Sequence, residues 1–234
     1  MYSIEPIAKI YNGYHEKFGV PRQSGLVPSA ISYIVLEEKY RIDEALRGIE
    51  EYSHIWVLWR FSEFESEKFS PTVRPPRLGG NTRVGVFATR SPNRPNSIGM
   101  SSLALIKVIK TQQYGTVLAV SGADMISGTP ILDIKPYVPY TDSHPDAKGS
   151  FADKYADYSL SVSIPSHFLE KIDPSDRETI YDIIKNDPRP SYQNSPDRAY
   201  TFDYSKYSVS FKVSEECAEV CSITVREVRE DIKL

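Results

Sequence analysis

The stretch from Gly85 to Ser102, GVFATRSPNRPNSIGMSS, holds two arginines, two prolines and two asparagines and no carboxylate. Proline fixes φ and withdraws a backbone donor, so such a loop loses little entropy on ordering and holds Arg90, Arg94 and Asn96 in set directions. Donors preorganised in this way suit a ligand. A second arginine-bearing loop, PTVRPPRLGGN, precedes it with Arg74 and Arg77, and its Gly79-Gly80-Asn81 is able to take positive φ in a tight turn. Two such loops are expected to frame one site; the plainer alternative is a pair of proline-rich connections whose arginines face water. From Lys68 to Ala123 there is no Asp or Glu, while eight Lys and Arg fall in that window. A polyanionic partner fits this asymmetry, because phosphates gain from Lys and Arg through counterion release and arginine grips them bidentately. A solvated basic face paired with acidic residues from elsewhere would give the same pattern.

The elements that must carry these loops read mostly as strands. SIEPIAKI, ISYIVLE, HIWVLWRF, RVGVFAT, SLALIKVI, TVLAVSGA and TPILDIKPY are short, rich in branched or aromatic residues, and separated by Gly, Pro, Asn or Ser. That number suggests a barrel or sandwich. The opening loop is expected to leave a strand at Thr89 and re-enter one after Gly99. An amphipathic helix is predicted over 40–52, with Ile42, Leu46 and Ile49 on one face. The polar TDSHPDAKGSFADKYAD reads as a linker or surface loop, and beyond it a strand-like YSLSVSI, a helix started by Asp173 and Pro174, and two further strands make a small α+β appendage. The division expected is therefore a strand-rich domain over 1–150 and a smaller one over 158–234.

The chain has 234 residues and a net charge of −3, enough to bury a sizeable core. No long apolar run is present and the N-terminus lacks the pattern of a signal peptide, so a cytosolic protein without membrane association is expected. Cys217 and Cys221, spaced as CAEVC, form no metal-ligand set with the four scattered histidines and are expected to be ordinary buried cysteines. His54, Trp56 and Trp59, in an apolar strand, read as core or interface residues.

VPRQSGLV, PTVRPPRLGG, GVFATRSPNRPNSIGMS, GTPILDIKPYVPY and DPRPSYQ, in this order, resemble the TrmO-like tRNA methyltransferases nearly end to end. The resemblance implies a mainly β fold, a single-sheet β-barrel N-terminal domain with a small α+β C-terminal domain. It further implies a homodimer, S-adenosylmethionine as cofactor, and methylation of N6 of threonylcarbamoyladenosine beside the anticodon of tRNA. No GxGxxG follows an early strand, so a doubly wound cofactor site is not supported and the cofactor is expected among loops. Carried over residue by residue, the cofactor residues are Gln23, Ser24, Gly25, Ser62, Glu63, Arg90, Met100, Ser121, Gly122, Ala123 and Asp124. Ser24 stands where the family commonly shows proline.

Methyl transfer from a sulfonium asks mainly for positioning, so neither a metal nor a nucleophilic triad is needed. The acceptor nitrogen of a carbamoylated adenine is urea-like, however, and loss of its proton should help. DIKPYVPYTD offers Asp133 as the base, with Lys135 or Tyr137 positioning the modified nucleobase. Asp133 and Lys135 share a strand face and could equally form a structural ion pair. Arg74, Arg77, Arg94 and Asn96 are the expected RNA contacts, and Tyr137 and Tyr140, beside prolines, could stack on a splayed base or equally pack under the loop. A non-catalytic RNA-binding barrel and a small-molecule methyltransferase of the same fold remain open at this stage.

Overall fold

The computed structural model describes residues 3–63, 69–78, 81–189, 195–227 and 232. Among them, six strands pair in the order β1 (Ala8–Tyr11), β2 (Ile31–Leu36), β7 (Gly115–Ser121), β6 (Ile98–Thr111), β3 (His54–Arg60) and β8 (Pro130–Pro136). Ala8 of β1 pairs back onto Ile131 of β8, so the antiparallel sheet closes on itself as a barrel. Period-2 alternation sets what faces inward: in β3, Ile55, Val57 and Trp59 are buried while His54 and Arg60 are exposed. Ile10, Ile34, Leu103, Leu118 and Ile131 join them in one core. A two-stranded ribbon, β4 (Thr72–Val73) with β5 (Val84–Gly85), stands apart from that sheet.

A second core lies toward the C-terminus. The sheet β10 (Tyr200–Tyr204), β11 (Tyr207–Ser214), β12 (Cys217–Val225) and β9 (Ser161–Ser163) is antiparallel except for the parallel β12–β9 pair. The short α1 (Pro139–Asp142) and α2 (Ser166–Leu169) precede α3 (Pro174–Lys185), which packs Ile180, Ile183 and Ile184 into this core with Phe202, Tyr207 and Phe211. Tyr14, Val27 and Ala30, from the connection between β1 and β2, are buried in the same core. That connection therefore runs between the two sheets, and it carries the VPRQSG motif.

Several local expectations are corrected. The segment 40–52 forms three 3-10 turns, Glu38–Tyr40, Asp43–Leu46 and Ile49–Glu51, rather than one helix. Gly48 at φ 84° interrupts any continuous run, and Ile42 is exposed while Leu46 and Ile49 pack on the core. RVGVFAT supplies only the two residues of β5 before a 3-10 turn, Val86–Ala88, so the arginine loop leaves a turn rather than a strand. Cys217 and Cys221 are free and exposed. They fall on the outward face of β12, whose inward positions are Ala218 and Val220.

Candidate functional site

A cavity of about 650 Å³ opens where the β1–β2 connection, the end of β3, the Thr89–Ile98 loop and the segment after β7 converge. That size is within the range of small-molecule sites. Its walls include Trp59, Phe61, Met100, Met125 and Ile126, and its polar groups include Lys17, Arg22, Gln23, Glu63, Arg90, Arg94 and Asp124.

Glycine geometry brings the VPRQSG motif here. Gly25 donates its backbone N–H to the carbonyl of Gly122 at 2.9 Å. Both are in the left-handed region, φ 81° and 78°, and a Cβ on Gly122 would come within 3.0 Å of the Gly25 backbone. The bare backbone of Gly122 permits this approach, while a Cβ on Gly25 would meet nothing and its glycine answers to the positive φ alone. The contact sets Gln23 against the next loop, where Arg90 Nη1 donates to Gln23 Oε1 at 2.6 Å. Gly99 serves a similar purpose on the far wall, since a Cβ there would lie 2.3 Å from the Trp59 ring.

Asp124 sits behind these groups. Trp59 Nε1 donates to Ser101 Oγ at 3.0 Å, and Ser101 Oγ donates to Asp124 Oδ1 at 2.5 Å. Burial disfavours the charged carboxylate and pushes Asp124 up to about 6, against the downward pull of Ser101, Arg90 and backbone donors. An acid so placed carries its charge near neutral pH and loses it in mild acid.

Of the residues expected at a cofactor, Gln23, Ser62, Glu63, Arg90, Met100 and Asp124 line the cavity. Gly25 and Gly122 build its backbone, and Ser121 and Ala123 are buried beside it. Ser24, half-buried, gives Asp124 a backbone donor. Asp133, Lys135 and Tyr137 are not among the lining residues. Lys135 Nζ lies 2.8 Å from Asp133 Oδ2 on β8, and Tyr137 packs its ring against Trp56 at 5.6 Å. Asp142 is held beside them, accepting from Trp56 Nε1 at 2.8 Å and from the Val138 N–H at 2.9 Å.

Among the described residues, one of the expected RNA contacts lines the cavity. Arg94 lines the cavity, but its Nη1 donates to the carbonyls of Val86 at 3.2 Å and Thr89 at 2.7 Å, bracing its own loop. Asn96 and Arg74 are exposed. Tyr140, 88% exposed, stands on α1, away from the cavity. The Arg77 side chain, Gly79, Gly80 and all of PSYQ lie outside the described residues. Sequence reasoning missed Lys17, Phe61 and Arg22. It read Trp59 as core, which it also is, because an aromatic at the end of an apolar strand gives one signal for both roles.

Arg22 links this site to the C-terminal core. Its Nη2 donates to the Asp187 carbonyl at 3.0 Å and to that of Arg189. Those carbonyls belong to a buried pair in which Arg189 Nε donates to Asp187 Oδ1 at 2.7 Å. Burial alone would raise Asp187, yet hydrogen bonds from Arg189 and Tyr158 outweigh it and leave the carboxyl below its ordinary range.

Among the described residues no helix is long and apolar enough to cross a membrane, and no His, Cys, Asp and Glu group could hold a metal ion. Residues 9–143 match the tRNA-methyltransferase O N-terminal domain, and residues 158–226 match the TrmO C-terminal domain. The chain is 39% identical to the tRNA (adenine(37)-N6)-methyltransferase of Escherichia coli, over 96% of this chain and 99% of that protein. A Pseudomonas aeruginosa protein, 39% identical over 85% of this chain and 87% of its own, is named a candidate S-adenosylmethionine-dependent methyltransferase. The crystal structure of TrmO from Pseudomonas aeruginosa superposes with a TM-score of 0.73 at 31% identity, covering 96% of this chain and 99% of that one. With both of its halves matched in order, the chain belongs to the TrmO family of tRNA methyltransferases.

Proposed function

We propose that this enzyme transfers a methyl group from S-adenosylmethionine to N6 of threonylcarbamoyladenosine at position 37 of tRNA. The observation that carries the reading is the cavity itself, apolar over most of its wall but with Arg90, Gln23 and Asp124 held at fixed places by hydrogen bonds. S-adenosylmethionine asks for that mixture: an adenosine and thioether-like chain to bury, a carboxylate to receive a donor, and positive charge to be met by an anion. When bound, it supplies a methyl group made electrophilic by the sulfonium.

The residues divide the work of binding. Arg90, steadied by Gln23, would receive the carboxylate; Asp124 would meet the positive charge; and Trp59, Phe61 and Met100 would cover the apolar parts and exclude water. A wall fixed by Gly25–Gly122 and Trp59–Gly99 would limit the approach of the acceptor nitrogen, and positioning of this kind supplies much of the rate gain in such a displacement. The basic loops around the mouth attract the tRNA backbone, and their spare donors suit the threonyl carboxylate, a handle that plain adenosine lacks. Residues 1–150 form the catalytic domain, with 158–234 as an accessory domain, and the enzyme works in the cytoplasm as a homodimer.

The substrate claim is tested by methyl transfer from labelled S-adenosylmethionine to tRNA prepared with and without the threonylcarbamoyl group. Labelling of the modified tRNA alone is expected. Equal labelling of both would remove the threonylcarbamoyl requirement.

A further inference from the structure

Beside the cavity mouth two phenylalanines stand out of the protein. Phe69 is 57% and Phe87 72% exposed, although rings of this size are ordinarily buried. Their centroids lie 6.3 Å apart with 28° between the planes, a stacked pair. The Arg94 guanidinium carbon lies 5.7 Å from the Phe87 centroid, and the same guanidinium donates to the carbonyls of Val86 and Thr89 on either side of that ring. Val86 in turn donates its N–H to the Pro71 carbonyl at 3.0 Å, joining the Phe87 turn to the segment that bears Phe69. The pair is therefore held in place rather than loosely displayed. Thr89 and Arg90, two and three residues beyond Phe87, line the cavity.

The surroundings are cationic. The β4–β5 ribbon that separates the two rings along the chain also exposes Arg74 and Arg83, and no carboxylate occurs in the sequence from 69 to 123. An aromatic step with arginines on the ribbon that joins its two rings matches the way unpaired RNA bases are recognised, by stacking on rings and guanidinium planes while cations meet the phosphates. A second copy of the chain is a poorer occupant, since a two-fold interface centred here would set one arginine-rich patch against itself.

We propose that Phe69 and Phe87, with Arg94, form a stacking site for an unpaired base flanking the target adenosine. It rests on the tRNA reading above. Stacking of this kind is sequence-tolerant, because every base has a π-face, so the site would hold the loop open without choosing the tRNA species.

The test uses an anticodon stem-loop RNA with 2-aminopurine beside the target adenosine, titrated with the full chain. Binding to the wild type should quench the fluorophore. Phe87→Ala and Phe87→Leu should each weaken RNA binding roughly tenfold or more, while Phe87→Trp keeps it. S-adenosylmethionine affinity, read by calorimetry, and molar mass, read by light scattering, should stay the same in all three. Leucine separates the two kinds of occupant, because it preserves apolar volume for a protein surface but offers no ring to a base. Wild-type RNA affinity in the Ala and Leu variants, or rescue by Leu of what Ala loses, would overturn the proposal. A change of molar mass in Phe87→Ala would also overturn it, by assigning the pair to a second copy. A wild type that neither binds nor methylates the RNA would remove the tRNA reading and this site with it, whereas a methylating wild type with unaffected variants would remove the stacking site alone.

Discussion

Burial leaves the Asp124 carboxyl little water to solvate its charge, and this is why it is pushed up to about 6. An unfolded aspartate titrates near 4, so between about pH 4 and pH 6 the folded chain holds a proton that the unfolded chain releases. Asp124 therefore subtracts stability as pH rises through that window. Cofactor binding should run the other way, because only the ionised form attracts a cation: S-adenosylmethionine affinity is expected to rise as pH is raised through about 6. Asp124→Asn should lose about tenfold or more in affinity and flatten that pH dependence, as titration calorimetry at several pH values would read. Asp133 carries a different expectation. Its ion pair with Lys135 is largely exposed and outside the cavity, and such pairs contribute little, so Asp133→Asn should keep turnover within about fivefold of wild type and leave cofactor affinity unchanged. A loss of two powers of ten in turnover would return the proton-accepting role to Asp133. Gln23, Arg90, Met100 and Asp124 were legible because they sit in motifs. Lys17 and Phe61 were not, because nothing local marks a lone lysine or phenylalanine as lining a cavity assembled from four separate segments.

At the scale of elements, the strands were legible from alternation and punctuation, since β2, β3 and β8 each fall within an expected apolar run and β7 overlaps its run, while β6 extends past its run at both ends. Short segments were not. The Ile42, Leu46, Ile49 spacing satisfies a helical period, but Gly48 at positive φ and burial of only part of that stripe divide the segment into turns. The closure of the sheet depends on two residues of β1 reaching β8, a long-range pairing that no local pattern announces. Positive-φ glycines did more than end elements. Gly122 permits the approach of the VPRQSG connection to the end of β7, and Gly122→Ala would place a methyl group against the Gly25 backbone at a strained φ. A loss of about 1–3 kcal/mol in stability is expected, with cofactor affinity falling as Gln23 and its partner Arg90 shift. Denaturant unfolding with and without S-adenosylmethionine would measure both.

Across the whole molecule, the connection between β1 and β2 is held from both sides. Toward the closed sheet, Gly25 bonds Gly122 and Asn12 Nδ2 donates to the Met125 carbonyl at 3.1 Å. Toward the C-terminal sheet, Arg22 reaches the carbonyls of Asp187 and Arg189, Asn186 Nδ2 donates to the Leu26 carbonyl at 2.9 Å, and Ser29 Oγ donates to Asp182 Oδ2 at 2.6 Å. The sequence marked a second unit beyond the polar linker, but not that it would bury Tyr14 and Val27 from the first, because burial across 150 or more positions leaves no local signature. Arg22→Ala should therefore act at a distance from its own position. Loss of its charged hydrogen bonds is expected to lower Tm by about 4–8 °C and to weaken cofactor binding through Gln23, both readable by scanning calorimetry across ligand concentrations. The central claim is that one chain's loops assemble a site for S-adenosylmethionine, and isothermal titration of that ligand into the RNA-free, metal-free protein tests it most directly. The account predicts saturable binding at one site per chain, weakened in Arg90→Ala without loss of fold; absence of both heat and thermal stabilisation at millimolar ligand would contradict it.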